Sequence, residues 1–351
     1  MQLMLFISLL AWGSSVYAGM FSDRQLINGA GATFPYPLYS KWFSEYQKVD
    51  QTVSFNYQSI GSGGGVRQLM DQTIDFAGSD AYLSDEQIKK SKAPVFHFPT
   101  VLGAVVVTYK IPGLTQPLKL TGPQIADIFL GKIQSWNHES LLTNNPELKT
   151  IYPAGSKADI LVVHRSDGSG TTSIFSEFLS KVSAAWKDKV GKGTALRWPV
   201  GIGGRGNEGV SAFVKQIPGS IGYVELVFAH TLKLPFAAVE NPRKQFVLPS
   251  ENSVKLAAEG IAKQIPKDFR ASVTWVDSEG AYPISSFTFI ITYQKINKKV
   301  IIPLKKFLLW SMGDAGQGIA EKLLFVPLPA ALVTRVKDQI EAIAQENNSE
   351  H

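Results

Sequence analysis

Four glycine-rich turns hold the residue types with which this sequence could do chemistry. They are Gly29-Ala30-Gly31-Ala32-Thr33-Phe34, Gly61-Ser62-Gly63-Gly64-Gly65, Asp167-Gly168-Ser169-Gly170-Thr171-Thr172 and Gly201-Ile202-Gly203-Gly204-Arg205-Gly206-Asn207. At least the first three stand between a strand-like stretch and a helical stripe. A helix start leaves backbone N–H groups unpaired and carries about half a positive charge. Glycine lets a ligand approach those N–H groups, and Ser or Thr hydroxyls add donors. Any one turn alone is better read as a strand–helix connection that needs glycine for its backbone angles. Several in one chain, three of them with hydroxyls, point to an oxyanion site. No turn has the spacing of a nucleotide phosphate loop, and Gly29 lacks the third glycine of a dinucleotide fingerprint. The expected ligand is therefore a small oxyanion.

Two charged groups flank these turns. Arg165 precedes the third turn, at the end of a predicted buried strand, where a guanidinium can grip an oxyanion with two parallel donors. Asp167 is placed to orient it, although a surface ion pair would look the same in sequence. Asp80 closes the strand-like stretch Asp75-Phe76-Ala77-Gly78-Ser79 and reads either as a turn residue or as part of the site. Enzyme chemistry finds little support. The histidines are His97, His138, His164, His230 and His351, none at the i, i+3 or i, i+4 spacing of a metal pair. His164 beside Arg165 reads as a structural residue at a strand end. There is no G-x-S-x-G elbow, and nothing local activates Ser169 as a nucleophile. No metal site and no cofactor are expected.

The elements that must position these residues alternate. Leu38, Tyr39, Trp42, Phe43 and Tyr46 form one helical face. Strands are predicted at 53–57, 74–77, 101–109, 160–163, from 221, and at 287–293. Helices are predicted at 65–71, 210–217, 254–265, 304–312 and 331–344, with a further stripe through Ile174, Phe175, Phe178, Leu179 and Val182. Ser84 with Gln87 and Thr121 with Gln124 have capping-box spacing. Strands alternating with helical stripes predict α/β architecture with largely parallel sheets. No low-complexity linker is visible, so two domains would have to be joined through strands or tight hinges.

Composition bounds the rest. The chain has 351 residues, 44% hydrophobic and 18% charged, which excludes disorder as its main state and favours two domains over one very large core. It has no cysteine, so disulfides, thiolate metal sites and lipid attachment through Cys are excluded. The net charge of +6 is mild for this length and gives no reason to expect nucleic acid. Residues 1–18 read as a cleavable signal peptide: an apolar run from Met4 to Trp12, too short to span a bilayer, then small residues and Val16-Tyr17-Ala18. No Lys or Arg precedes that run. The scattered tryptophans read as core, and the pairs Lys298-Lys299 and Lys305-Lys306 as solvated faces.

The blocks GAGATFPYPLYSKW (29–42), QSIGSGGGVRQL (58–69), DFAGSDAYLSDE (75–86), HRSDGSGTTSIF (164–175), WPVGIGGRGNEGVSAFV (198–214) and PGSIGYVE (218–225) resemble the periplasmic phosphate-binding proteins of bacterial phosphate ABC importers. The resemblance spans residues 27 to about 335, with the blocks in the family's order. It implies an α/β, two-lobed periplasmic binding protein of the type II, cluster-type class, each lobe a mixed, mostly parallel sheet flanked by helices. Lobe I would be 19–101 with 283–351, and lobe II 102–282, with the ligand cleft between them. It also implies a free, monomeric periplasmic protein that delivers phosphate to the permease subunits and ATPase of an importer. The implied phosphate ligands are Thr33, Phe34, Ser62, Asp80, Arg165, Ser169, Gly170 and Thr171, with Asp167 supporting Arg165. Asp80 would accept a proton from the ligand. Gly63 departs from the serine common in relatives, and the expectation is that its backbone N–H still serves the site. A binder of another tetrahedral oxyanion, such as sulfate or molybdate, and a secreted phosphatase remain as alternatives.

Overall fold

Hydrophobic alternation becomes strand, and apolar stripes at helical spacing become helix, over most of the chain. The computed structural model describes residues 24–345. The expected signal peptide, 1–18, lies outside the described residues. The first part runs β1 (Gln25–Gly31), α1 (Tyr36–Val49), β2 (Val53–Ser59), α2 (Ser62–Met70), β3 (Phe76–Ser79), α3 (Asp85–Lys90) and β4 (Val95–Tyr109). The middle runs β5 (Lys119–Leu120), α4 (Gly122–Phe129), α5 (Glu139–Leu142), α6 (Leu148–Ile151), β6 (Leu161–Arg165), α7 (Gly170–Val182), α8 (Ala184–Lys189), β7 (Ile202–Gly204), α9 (Gly206–Gln216) and β8 (Ser220–Glu225). Then come α10 (Leu226–Thr231), β9 (Ala238–Glu240), β10 (Phe246–Val247), α11 (Glu251–Ile261) and β11 (Ser285–Tyr293). The chain closes with β12 (Lys295–Ile296), α12 (Lys298–Ser311), α13 (Asp314–Lys322), α14 (Ala330–Glu341) and β13 (Ala344–Gln345).

The main sheet has the order β2-β1-β3-β11-β4-β8-β6-β7. β2, β1 and β3 are parallel to one another, as are β7, β6 and β8. The joining strands are antiparallel. β4 belongs to both groups: Val95 to Ala104 pair with β11, and Val105 to Tyr109 pair with β8. No linker is needed because a strand makes the crossing. β4 is longer than the apolar run predicts, beginning at Val95 rather than Val101. It tolerates Pro99 because the register against β11 shifts there, with Phe289 opposite Pro99 and Thr288 opposite Val101.

Both capping boxes form. The Ser84 hydroxyl accepts from the Gln87 N–H and opens α3, and Thr121 does the same with Gln124 for α4. α2 begins three residues before the predicted start, because the glycines of the second turn are themselves helical. The core holds Trp42, Trp136 and Trp186 fully buried. Each indole N–H donates to a carbonyl, of Gly316 at 2.7 Å, Gly219 at 3.0 Å and Gly191 at 2.9 Å. Trp198, Trp275 and Trp310 pack against the same core. Among the described residues, no helix is long and apolar enough to cross a membrane.

Candidate functional site

Parallel strands end together, so whatever follows them gathers on one side of the sheet. All four glycine-rich turns follow parallel strands: β1 into α1, β2 into α2, β6 into α7 and β7 into α9. The fourth turn is thus a strand–helix connection like the other three. Asp80 follows β3, and Glu225 ends β8.

Thr33, Phe34, Ser62, Asp80, Arg165, Ser169, Gly170 and Thr171 are all buried. Arg165 directs Nε to Asp167 Oδ1 at 2.8 Å and Nη2 to Asp167 Oδ2, a two-point fork. Its Nη1 donates to Thr171 Oγ1 at 3.3 Å. Burial alone would raise the Asp167 carboxyl. The guanidinium and the Gly206 N–H at 3.0 Å outweigh it and hold that carboxyl below the usual carboxylate range. Ser169 caps α7 by accepting the Thr172 N–H at 3.0 Å.

Asp80 is 3% exposed. Its Oδ1 accepts the Thr288 hydroxyl at 2.8 Å, and its backbone N–H donates to Ser62 Oγ at 3.2 Å. Burial pushes the carboxyl up to about 7 against the opposing pull of Thr288, Arg165 and Ser62. Gly170, at the start of α7, faces it closely: a Cβ there would lie 2.6 Å from Asp80 Oδ2. The two halves of the sheet therefore meet at this point.

Many donors in this arrangement are unspent. Among the described residues, the backbone N–H groups of Thr33, Phe34, Gly170 and Thr171 make no hydrogen bond within the protein. Neither do the hydroxyl hydrogens of Thr33, Ser169 and Thr171. Unspent buried donors converging on one place, with one carboxyl among them, make a site that can surround a small oxyanion and accept one proton-borne hydrogen bond from it.

Gly63 corrects an expectation. Its N–H does not face the site but donates to the Gly168 carbonyl at 2.9 Å. A Cβ at 63 would sit 3.2 Å from Gly168 Cα, so glycine here serves the approach of two turns from opposite halves of the sheet. His164 is structural, with Nδ1 3.0 Å from the Arg165 carbonyl and its ring stacked on Trp198 at 4.8 Å. Among the described residues no group of acidic or histidine side chains could hold a metal ion.

Three buried residues escaped the sequence reading. Thr288 reaches Asp80 from 208 positions away and has no local signature. Asn207 lies inside the fourth turn, yet only the fold shows it bonded to Thr33 at 2.8 Å. Glu225 accepts the Val227 N–H at 2.7 Å through Oε2, while Oε1 has no partner among the described residues. Burial, with the Asp80 charge adding to it, keeps this carboxyl well above the usual carboxylate range.

The model of the PBP superfamily domain matches residues 20–315. Phosphate-binding protein PstS of Xylella fastidiosa is 44% identical over 316 residues, covering 89% of this chain and 84% of the relative. Phosphate-binding protein PstS of Haemophilus influenzae is 40% identical over 321 residues, covering 91% and 93%. The chain belongs to the PstS family. A phosphate-binding protein from Stenotrophomonas maltophilia, 20% identical, superimposes with a TM-score of 0.66 over 89% of this chain and 93% of that one. A putative phosphate ABC transporter substrate-binding protein from Clostridium perfringens, solved with bound phosphate, is 18% identical and scores 0.61 over 87% and 100%. At such identities the likeness is one of fold. It agrees with the family assignment: the two-lobed, type II periplasmic-binding-protein fold.

Proposed function

We propose that this chain binds inorganic phosphate between its two lobes, in the periplasm, and delivers it to the permease of an ABC importer. Lobe I takes residues 19–101 with 283–351, and lobe II takes 102–282. The change of partner along β4 at Ala104 and Val105 supports a hinge close to that division. The ligands are Thr33, Phe34, Ser62, Asp80, Arg165, Ser169, Gly170 and Thr171, with Asp167 holding Arg165 in place.

The observation that carries the reading is a buried carboxyl among unspent donors. Phosphate near neutral pH always bears at least one proton, and sulfate bears none. Ionised Asp80 accepts a hydrogen bond from the phosphate proton. Against sulfate it would face a second unprotonated anion, leaving a buried acceptor unpaired at a cost of about 1–3 kcal/mol before charge repulsion is counted. The donors are mostly neutral dipoles, and the Arg165 charge is shared with Asp167, so release does not require breaking a strong ion pair. The carrier reading is supported by the family, whose relatives are phosphate-binding proteins. Titration calorimetry at pH 7.5, with a phosphomonoester turnover assay beside it, tests this. One phosphate per chain, no heat from sulfate and no turnover are expected. Tight sulfate binding would favour the other-oxyanion reading, and turnover the phosphatase.

A further inference from the structure

We propose that Asn207 is the positioning residue that makes the Thr33 and Thr171 hydroxyls donors to the bound anion. The inference rests on the phosphate reading above. A hydroxyl has one hydrogen to give and two lone pairs to receive. Thr33 Oγ1 receives two N–H groups, both from Asn207: the side-chain amide at 2.8 Å and the backbone N–H at 3.2 Å. Thr171 Oγ1 also receives two, from Arg165 Nη1 at 3.3 Å and Asn207 Nδ2 at 3.4 Å. Neither an amide nor a guanidinium N–H can accept, so both hydroxyl hydrogens must point elsewhere. No protein acceptor takes them among the described residues.

The sense of the Asn207 amide is itself fixed. Its Oδ1 accepts the Glu225 backbone N–H at 2.9 Å, which can only donate, so Nδ2 must face the threonines. Asn207 is fully buried at the start of α9, with no room to turn away. One amide therefore sets the polarity of two hydroxyls, one from each lobe. It also bridges the lobes, since Thr33 follows β1 and Asn207 follows β7.

The test is a set of phosphate titrations on the whole protein, with circular dichroism and thermal melts confirming the fold of each variant. Asn207→Asp keeps one oxygen for the Glu225 N–H and turns the other into an acceptor that captures the hydroxyl hydrogens. It is expected to weaken phosphate binding by at least about 100-fold. Asn207→Ala frees the hydroxyls to rotate and is expected to cost about tenfold. In a Thr33→Val, Thr171→Val background, the alanine effect should fall within about twofold, and the aspartate effect below about tenfold, what is left being charge repulsion. An alanine effect undiminished by the valines, or an aspartate variant that binds as the parent does, overturns the proposal. If Asn207→Ala does not fold, the aspartate pair of measurements decides alone by the same criteria. A parent protein that takes up no phosphate removes the phosphate reading and the inference with it; a parent that binds with Asn207 effects independent of the threonines removes the inference alone.

Discussion

Asp80 is a carboxyl for which burial outweighs three stabilising neighbours. The Thr288 hydroxyl, the Arg165 charge and Ser62 all favour its ionised form, yet desolvation leaves it at about 7. Its folded value lies above that of an unfolded aspartate, near 3.9. The folded state therefore holds a proton that the unfolded state has lost between about pH 4 and pH 7. Stability from this group is fully present below pH 4 and declines as pH rises through 7, by an order of 2–4 kcal/mol at most. Asp80→Asn removes that cost. The ligand-free variant should melt a few degrees above the parent at pH 8 and no higher than it at pH 4. Equal displacement at both values would mean that the ionised carboxylate is not what strains the empty site. Asp80 and Arg165 were visible as chemistry because a charged residue beside a glycine turn stands out. Asn207 and Glu225 were not, since what distinguishes them is which buried group lies opposite: Thr33, 174 positions away, for Asn207, and Asn207 itself for the Glu225 N–H.

At the scale of elements, the site consists of strand ends and helix starts, and its tightest point is the first residue of α7. Gly170 meets Asp80 and Ser62 across the cleft. A methyl group there would lie 2.4 Å from Ser62 Oγ and 2.6 Å from Asp80 Oδ2. If the proposed lobes close over the ligand, Gly170→Ala is expected to leave the melting temperature of the ligand-free protein within about 2 °C of the parent and to weaken phosphate binding by at least about 100-fold, because the clash would arise on closure. Unchanged affinity on titration would show that the lobes need not approach this closely. Most of this framework was legible in advance. Capping boxes, glycine turns and apolar stripes are local signals, and they located α1, α3, α4 and α7 well. The bulge that lets Pro99 sit inside β4 was hidden, because it depends on the register against β11, almost two hundred residues later.

At the scale of the molecule, the proposed closure has support in contacts made by residues outside the proposed ligand set. Gly63 donates to the Gly168 carbonyl between the two proposed lobes. Arg270, in the proposed lobe II, donates to Asp85 Oδ1 at 2.6 Å and to the Leu83 carbonyl at 3.2 Å, both in the proposed lobe I. The Asp85 side chain is largely exposed, so the ion pair is worth no more than about 1 kcal/mol and is screened by salt. Arg270→Ala should therefore weaken phosphate binding about two- to fivefold at low salt, and less at 0.5 M salt. A variant that binds as the parent does at every salt concentration would show that this contact does not help to hold the lobes closed. The net charge of +6 has no visible part in this. The proposed site uses one guanidinium paired with Asp167, neutral dipoles and a carboxyl.

The ratio of phosphate to sulfate affinity, measured at pH 7.5 on the parent and on Asp80→Asn, tests the central claim most directly. The account predicts a parent that prefers phosphate by at least about a thousandfold and a variant in which that ratio falls by at least about a hundredfold, because the amide no longer repels a fully ionised anion and can donate to it. A variant that rejects sulfate as strongly as the parent would contradict it.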